Sequence, residues 1–588
     1  SPKQRSRSTH HDQNQHHHQD MKLTILALAL STSCCGAQSA YFANPVGEDY
    51  PVRRDPSRKL RGATPEEDYD YEGEDEFAYD YDYDYGDADT AARAPIDGVD
   101  DVPAQIGTLL EGVLGPFLGT FQGLETPIVV RYASLIDAIS WNCIATYHDS
   151  YLDALTKARP ALATSFTHLH DTPHRLACIL SAAHTFAHAF LPGAAPGIEA
   201  AAAARGLVLP ETLDARVVAC GADTQKQQAR DVNGFDVNER CLVDAVADAS
   251  YDPVVGGQAV AQLVMKHAAK DGWNALGHVG TDGKPCTANC RPFRDTTGYS
   301  PKSRFDRAYY REHGLDAKTL KRAERPVPWR PLAEDDGRGF FVLHQHVTPH
   351  IGTTGKTRVL SEAAKDARVA PVPGYNYAVE AELVLDRLKV LDDRKKMQVE
   401  WFDDKLNLIL TMFGTLVGSG AFQSFESAVA FLVGYTAAEY DALLVVWKEK
   451  VRHDLVRPTT VIQGTRSERM VRTWGGPHRS SQTMIKRKDV EPYKRVMPHS
   501  EYPSGSSCLC QGIKDYANAF LGATGFTMPP LQHVAPAGSS KVEPGTTPAQ
   551  DVTLTYATVD ALAAACGASR LDGGMHFTGA VEAGEALC

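Results

Sequence analysis

Six residues near the C-terminal end of this 588-residue chain could together hold an oxyanion: Lys450, Arg457, Ser504, Gly505, Arg570 and His576. The first two lie in Lys450-Val-Arg-His-Asp-Leu-Val-Arg457-Pro458. Seven residues make two helical turns, so the spacing predicts both cations on one helix face, with Pro458 marking the helix end. Such a pair is ordinarily a solvated surface. An Arg fork beside a Lys point charge is also what an enclosed oxyanion requires. Next comes Pro503-Ser504-Gly505-Ser506-Ser507, ahead of a helical pattern over 508–520. Ser504 can cap that helix, and Gly505 lets a backbone N–H approach a ligand at the helix N-terminus, a ready anion site. The third stretch, Ser569-Arg570-Leu-Asp-Gly573-Gly574-Met575-His576, adds another Arg, two flexible glycines and a His opening the last helical segment. Taken singly, these are an exposed face, a plain helix cap and a structural histidine.

In this order the three stretches resemble K-x6-R-P, P-S-G-H and S-R-x3-G-x-H, shared by the vanadium-dependent haloperoxidases and the type 2 phosphatidic acid phosphatase superfamily. Every position matches except one: Ser506 stands where the family has its acid/base His. The resemblance extends to 173–189 (with Arg175, Ala177 and His184), 256–272, Pro328-Trp329-Arg330-Pro331 and 437–458. It therefore covers roughly residues 105–588, and implies two all-α helical bundles with a site at the base of a funnel in the second.

What the resemblance implies for chemistry is specific. Vanadate would be held through a nitrogen of His576, the one metal ligand. Lys450, Arg457 and Arg570 would neutralise its oxygens, with the Ser504 hydroxyl and the Gly505 N–H as donors. Several cations are what a desolvated oxyanion needs, and neutral imidazole suits the metal. Hydrogen peroxide would be the oxidant, polarised by Lys450, and halide would leave as a hypohalous acid-type species for an organic acceptor. Peroxide must first lose a proton, for which a serine at 506 has no useful pKa. His499, five residues before Ser504, falls on the halide side, where algal bromoperoxidases carry His and fungal chloroperoxidases Phe; Trp447 is chloroperoxidase-like. The expectation is that His499 partly supplies the missing base and that bromide or iodide is favoured over chloride. Two rivals stand beside this reading: a secreted phosphomonoesterase with His576 as nucleophile, and a catalytically weak vanadate- or phosphate-binding extracellular protein, which Ser506 keeps in play.

The elements that must position these residues are helical. Apolar periodicity predicts helices over 133–158, 173–190, 213–220, 238–249, 257–271, 379–391, 398–412, 425–432 and 437–456, with no strand series of comparable strength. Trp141, His184 and His188 fall on such helices and read as packing. The Gly/Pro-rich stretch 272–330 reads as a long surface excursion. The class is all-α. Only twelve residues follow His576, few for the family, which leaves a short last helix or a truncated gene and a loosely held His576.

Upstream, residues 1–20 are polar and His-rich, with a His16-His17-His18 run, and read as translated non-coding sequence before Met21. Residues 21–40 read as a signal peptide, too short to span a membrane, so secretion is expected; a plastid address through a bipartite signal is the alternative. No later segment reads as apolar enough to span. Residues 41–104 form a propeptide or linker containing Arg53-Arg54 and a Tyr-rich tract, 66–89, with thirteen acidic residues and no Lys or Arg. That tract accounts for the formal charge of -13; it reads as a disordered solvating linker, with cell-wall or matrix contact as the other option, and nothing favours nucleic acid. Of twelve cysteines, Cys34 and Cys35 lie in the leader; ten remain, whose pairing is not legible. Cys286 and Cys290 read as a local disulfide or free thiols before a zinc site.

Overall fold

The computed structural model describes residues 101–588 except 122, 148–152, 156–171, 222–236, 249–251, 288–289, 336–340 and 480–481; the leader, the basic pairs and the acidic tract lie outside the described residues. Apolar side chains at three- and four-residue spacing build its helices. In α1 (Thr126–Ala145) they are Leu135, Ile136 and Ile139; in α2 (Thr172–Phe190) they are Leu176, Ile179, Leu180 and Ala183, all fully buried. A turn at Pro192–Ala194 folds the chain back into the Ala-rich α3 (Ala195–Ala203). Asp252 then caps α4 (Pro253–Ala269), accepting from Val254 N at 2.8 Å, and α4 packs along α2.

The second half is organised by α5 (Tyr377–Lys389), α6 (Asp393–Asp403), α7 (Lys405–Gly418), α8 (Phe425–His453), α9 (Pro458–Gly464), α10 (Gly505–Thr524), α11 (Val559–Asp572) and α12 (Thr578–Leu587). Three antiparallel two-stranded ladders sit in the connections: β1 (Leu332–Asp335) with β2 (Phe341–His344), β3 (Met470–Thr473) with β4 (Thr483–Lys486), and β5 (Leu531–Ala535) with β6 (Val552–Tyr556), where Leu531 faces Tyr556. The all-α class holds.

Two apolar clusters share α8. Its first half, Phe425 to Tyr435, packs with α1, α2, α4 and α7; its second, Tyr440 to Trp447, packs with α5, Trp474, Leu509 and Phe577. The sequence suggested a break between two helices here, but α8 runs for 29 residues. Gly434 is a crossing point instead: a Cβ there would overlap the Tyr516 hydroxyl of α10. Conversely, the single helix expected over 398–412 is two, because Asp404 leaves the helical path and caps α7, accepting from Asn407 N at 3.2 Å.

Three further expectations change. The stretch 272–330 is mostly irregular, yet Trp273, Phe305, Tyr309 and Trp329 are buried, so it is partly core. Two helices, α1 and α8, are long and apolar enough to cross a membrane; 78% of each apolar window is buried against the rest of the protein. The end of the chain is not loose: Cys508–Cys588 ties α12 to α10, and Cys510–Cys566 ties α10 to α11. The other disulfides are Cys143–Cys178, Cys220–Cys241 and the local Cys286–Cys290.

Asp137 on α1 is 3% exposed and faces an apolar cavity lined by Leu114, Phe117, Leu118, Ile409 and Leu432. Its partner is Thr436, whose hydroxyl donates at 3.0 Å. Burial pushes the carboxyl up to about 7, against an ordinary 3.8. The raised value means its stabilising contribution is complete below the unfolded pKa and is lost as pH rises through 7. Asp137→Asn keeps the acceptor and removes the titration. Urea midpoints measured at pH 5 and pH 8 should shift in the variant's favour relative to the parent as pH rises; an unchanged difference would place Asp137 in a hydrated setting.

Candidate functional site

The helix α8 ends three residues after Lys450. Asp454 takes a left-handed conformation (φ 48°) and donates its N–H to Lys450 O at 2.8 Å. The chain then runs extended through Leu455 and Val456 beside 327–329, with Trp329 N donating to Asp454 O at 2.7 Å and Val456 N to Val327 O at 3.0 Å. Arg457 is therefore the N-cap of α9, with Pro458 at its first position. The two cations meet across this turn and do not share a helix face as their spacing suggested. Ser504 caps α10 as expected, its Oγ accepting from Ser507 N at 3.4 Å and Ser507 Oγ at 2.9 Å. His576 lies between α11 and α12, after Gly574 at φ 74°.

Three of these side chains, those of Lys450, Arg457 and His576, converge. Lys450, 0% exposed, donates its ammonium to Ser500 O (2.8 Å), Glu501 O (3.2 Å) and Pro503 O (2.6 Å). A Cβ on Gly505 would sit 3.4 Å from Lys450 Cε, so the tip of α10 faces the ammonium. Arg457 reaches further. Its Nε donates to His499 O at 3.0 Å, Nη1 to Met575 O at 3.0 Å and His576 Nε2 at 3.3 Å, and Nη2 to His499 Nδ1 at 2.9 Å. Arg570 stands one layer back. It donates to Ser569 Oγ (3.0 Å), Asp403 (3.2 Å) and Val399 O (3.0 Å), while its charge reaches Arg457 and His576.

Because a guanidinium only donates, these contacts fix tautomers. His576 Nε2 must present its lone pair, so Nδ1–H donates to Glu501 Oε1 at 3.2 Å. Nε2 is thus the nitrogen available to a metal, and a carboxylate orients the ring from its other side. His499 Nδ1 likewise presents its lone pair to Arg457; Ser500 O, 3.2 Å from the same nitrogen, is left as a bystander.

The electrostatics point one way. Burial depresses Lys450 well below its usual range, and Arg457 adds to this. Burial also pulls Arg457 down to about 10, with Arg570 adding to it against Glu501. The same causes, burial first and then the cations, hold His499 and His576 neutral. The nearest acid, Glu501, is pushed by burial up to about 7, even though the Phe577 N–H, Arg457, Lys450 and Tyr375 favour its anion. Asp403 is ionised, since Lys494 and Arg570 outweigh its burial and hold it at about 2, but it is shared between those two. Arg570 is thus offset by Asp403, while among the described residues Lys450 and Arg457 face one carboxyl, Glu501, which burial pushes up to about 7. Such a cluster is short of negative charge, and its donor set fits a tetrahedral oxyanion beside a neutral imidazole.

Sequence reasoning missed Glu501, Asp403 and His346. Glu501 sits in the run His499-Ser-Glu501-Tyr-Pro503, where a carboxylate beside expected cations was a usable signal. His346 follows β2 with no motif to mark it. Its ring centroid lies 6.2 Å from His499 and 5.4 Å from Trp329, its Nδ1 faces Val347 O at 3.1 Å, and its buried Nε2 has no hydrogen-bond partner. Trp447 completes this wall, 4.7 Å from the His499 ring. Ser506 is half-buried on the first turn of α10.

Glu501 is the keystone to test. It accepts from Phe577 N at 2.9 Å, His576 Nδ1 at 3.2 Å and Tyr375 OH at 3.2 Å. Glu501→Ala strands these donors in a dry interior and should cost about 3 kcal/mol in urea unfolding, while Glu501→Gln, which retains an acceptor oxygen, should recover most of it. Equal losses in both variants would mean that the charge, and not the acceptor, matters.

Comparison with known proteins follows the same lines. Residues 430–588 match the family described as the VCPO second helical-bundle domain. The fold superposes on an apo-type bacterial vanadium-dependent chloroperoxidase with a TM-score of 0.60 at 21% identity, covering 78% of this chain and 90% of that one. The holo-type bacterial vanadium-dependent chloroperoxidase gives 0.60 and 21%, covering 81% and 91%. No curated protein matches the chain. The segment that carries Lys450, Arg457, Ser504, Arg570 and His576 is therefore the one that matches the VCPO second helical-bundle domain, in a chain with the helical-bundle fold of the vanadium haloperoxidases.

Proposed function

We propose that this chain is a vanadate-dependent haloperoxidase, oxidising bromide or iodide in preference to chloride with hydrogen peroxide and passing a hypohalous acid-type species to an organic acceptor. The observation that carries the reading is the buried, anion-poor cluster in which Lys450 and Arg457, backed by Arg570, stand beside the Nε2 lone pair of His576. Bound there, vanadate would supply a Lewis acid that activates peroxide without changing oxidation state.

The residues divide the work. His576 Nε2 is the ligand, oriented by Glu501. Arg457 and Arg570 offset the oxyanion's charge, and the Ser504 hydroxyl and Gly505 N–H donate to it from the tip of α10. Lys450 must give up one of its three carbonyl partners to polarise the reacting oxygen. Were Arg457 to give up its bond to His499, the His499 Nδ1 lone pair would be free to take the peroxide proton, with the unpartnered Nε2 of His346 behind it. The His499, Trp447, His346 and Trp329 rings wall the halide side. This catalytic unit spans 105–588, and we place it outside the cell behind the leader at 21–40, with the plastid as the alternative address and the acidic tract as a wall or matrix contact.

Phosphomonoester hydrolysis is the second reading, favoured by one observation: a neutral His576 with its Nε2 lone pair against Arg457 is also what a phosphoryl-accepting nucleophile needs. The test is bromination of a phenolic dye by the full chain with peroxide, with and without orthovanadate. Vanadate-dependent bromination suppressed by phosphate is expected. Turnover of p-nitrophenyl phosphate without bromination would install the phosphatase reading, and vanadate binding without either activity a binding protein. In the active protein, His499→Ala should lower kcat for bromide about 10²-fold, the low end of what loss of a general base costs; an unchanged kcat would remove His499 from proton transfer.

A further inference from the structure

Far along the chain from this site, α2 and α3 bring together a second set of ligating groups. His184 and His188 stand four residues apart on α2, hence on one helix face, and the turn at Pro192–Ala194 brings Glu199 of α3 against them. His184 Nε2 lies 2.8 Å from Glu199 Oε1 and 3.0 Å from His188 Nε2, and His188 Nε2 lies 3.7 Å from the same Glu199 oxygen. The two rings are nearly perpendicular, at 85°. The sequence read both histidines as packing; only His184 is buried, and His188 is half-exposed.

As hydrogen bonds alone this triangle is poorly satisfied. If His184 Nε2 carries the proton, its single N–H must be split between Glu199 Oε1 and a lone pair on His188 Nε2. If it accepts from His188, it cannot donate to Glu199. If both rings donate to the carboxylate, two N–H groups meet nitrogen to nitrogen at 3.0 Å. A cation between the three atoms resolves all of this, since each then turns a lone pair inward. The dimensions agree: zinc bonds of 2.0–2.1 Å in a tetrahedron separate ligand atoms by about 3.4 Å, which the three observed edges bracket. Protonation agrees as well. Burial lowers His184 toward the neutral, ligating form.

We propose that His184, His188 and Glu199 form a site for a divalent transition ion of the zinc class, clamping α3 onto α2. Two imidazoles and one carboxylate select such an ion over calcium or magnesium, which prefer all-oxygen shells. The half-exposed His188 and Glu199 leave a fourth position to water. Thr185 follows His184, so the helix lacks the glutamate base of an H-E-x-x-H protease, and the role is structural.

The full chain, stripped with chelator, is titrated with zinc, with bound metal counted and thermal unfolding recorded. Because the His16-His17-His18 run offers imidazoles that could also take such ions, the comparison is with His188→Ala and Glu199→Gln in the same full chain. The parent should hold one more equivalent than either variant and gain about 3 °C at 100-fold excess over its Kd, with no gain in the variants. Cobalt substitution should give visible d–d absorption that His188→Ala abolishes. Equal stoichiometry and equal thermal response in all three proteins, or no thermal gain in the parent, would overturn the proposal. Neither result depends on the haloperoxidase reading.

Discussion

The burial of the Arg457 guanidinium is the constraint on which the rest of the site depends. A cation that cannot lose its proton has been taken out of water at 1% exposure, and every N–H it points inward needs an acceptor. Those acceptors are His499 O and Nδ1, Met575 O and His576 Nε2, which come from segments 42 and more than a hundred residues further along the chain. One planar fork thus sets the register of two other stretches of polypeptide against its own. It also decides which nitrogen of His576 stays unprotonated, and so which atom of that ring can bind a metal.

The scaffold is arranged to keep that fork in place. Helix α8 delivers Lys450 in its last turn, and the left-handed Asp454 sends the chain past 327–329 so that Arg457 can start α9. Ser504 N donates to Ala580 O at 2.9 Å, joining the tip of α10 to α12, and Cys508–Cys588 and Cys510–Cys566 fasten α12 and α11 to the same helix. Closing loops of 80 and 56 residues withdraws chain entropy from the unfolded state, each by about 4 kcal/mol in the loop-entropy account. A histidine only twelve residues from the end is therefore as firmly held as one in mid-domain.

Most of the helices were legible because a 3.6-residue apolar rhythm survives wherever a helix lies half against a core, as in α2 and α5. Rhythm failed where tertiary contact replaced it. Gly434 looked like a break because propensity cannot show that Tyr516 needs its missing side chain, and Asp404 looked helical because a cap and an interior Asp are the same letter. The site residues were legible as three motifs, but not their mutual geometry. Spacing put Lys450 and Arg457 on one face, whereas a positive-φ Asp454 puts them across a turn. Glu501 and His346 were hidden for another reason. Their importance lies in what surrounds them, a buried field of cations, and neither carries a spacing that announces it. The same holds for His184 and His188, whose spacing is as common in helix cores as in metal sites until Glu199 is seen opposite.

Burial, and after it that cationic field, depresses the two histidines on this side of the cluster. Lys450 and Arg457 add to burial in holding His346 down to about 3, and they depress His499 in the same way. A polyanion among the same cations would offset their share of that effect and raise the proton affinity of both imidazoles, since one opposite charge within a few ångströms is worth about one to three pKa units. On the proposed haloperoxidase reading, proton acceptance at His499 and His346 would then be coupled to binding of that anion. On this argument the serine at 506 is less of a loss than it looks from sequence. In a charged hole, the residue that takes the proton is chosen by the field as much as by its place in a motif, and two histidines already stand on the side where the field would change most.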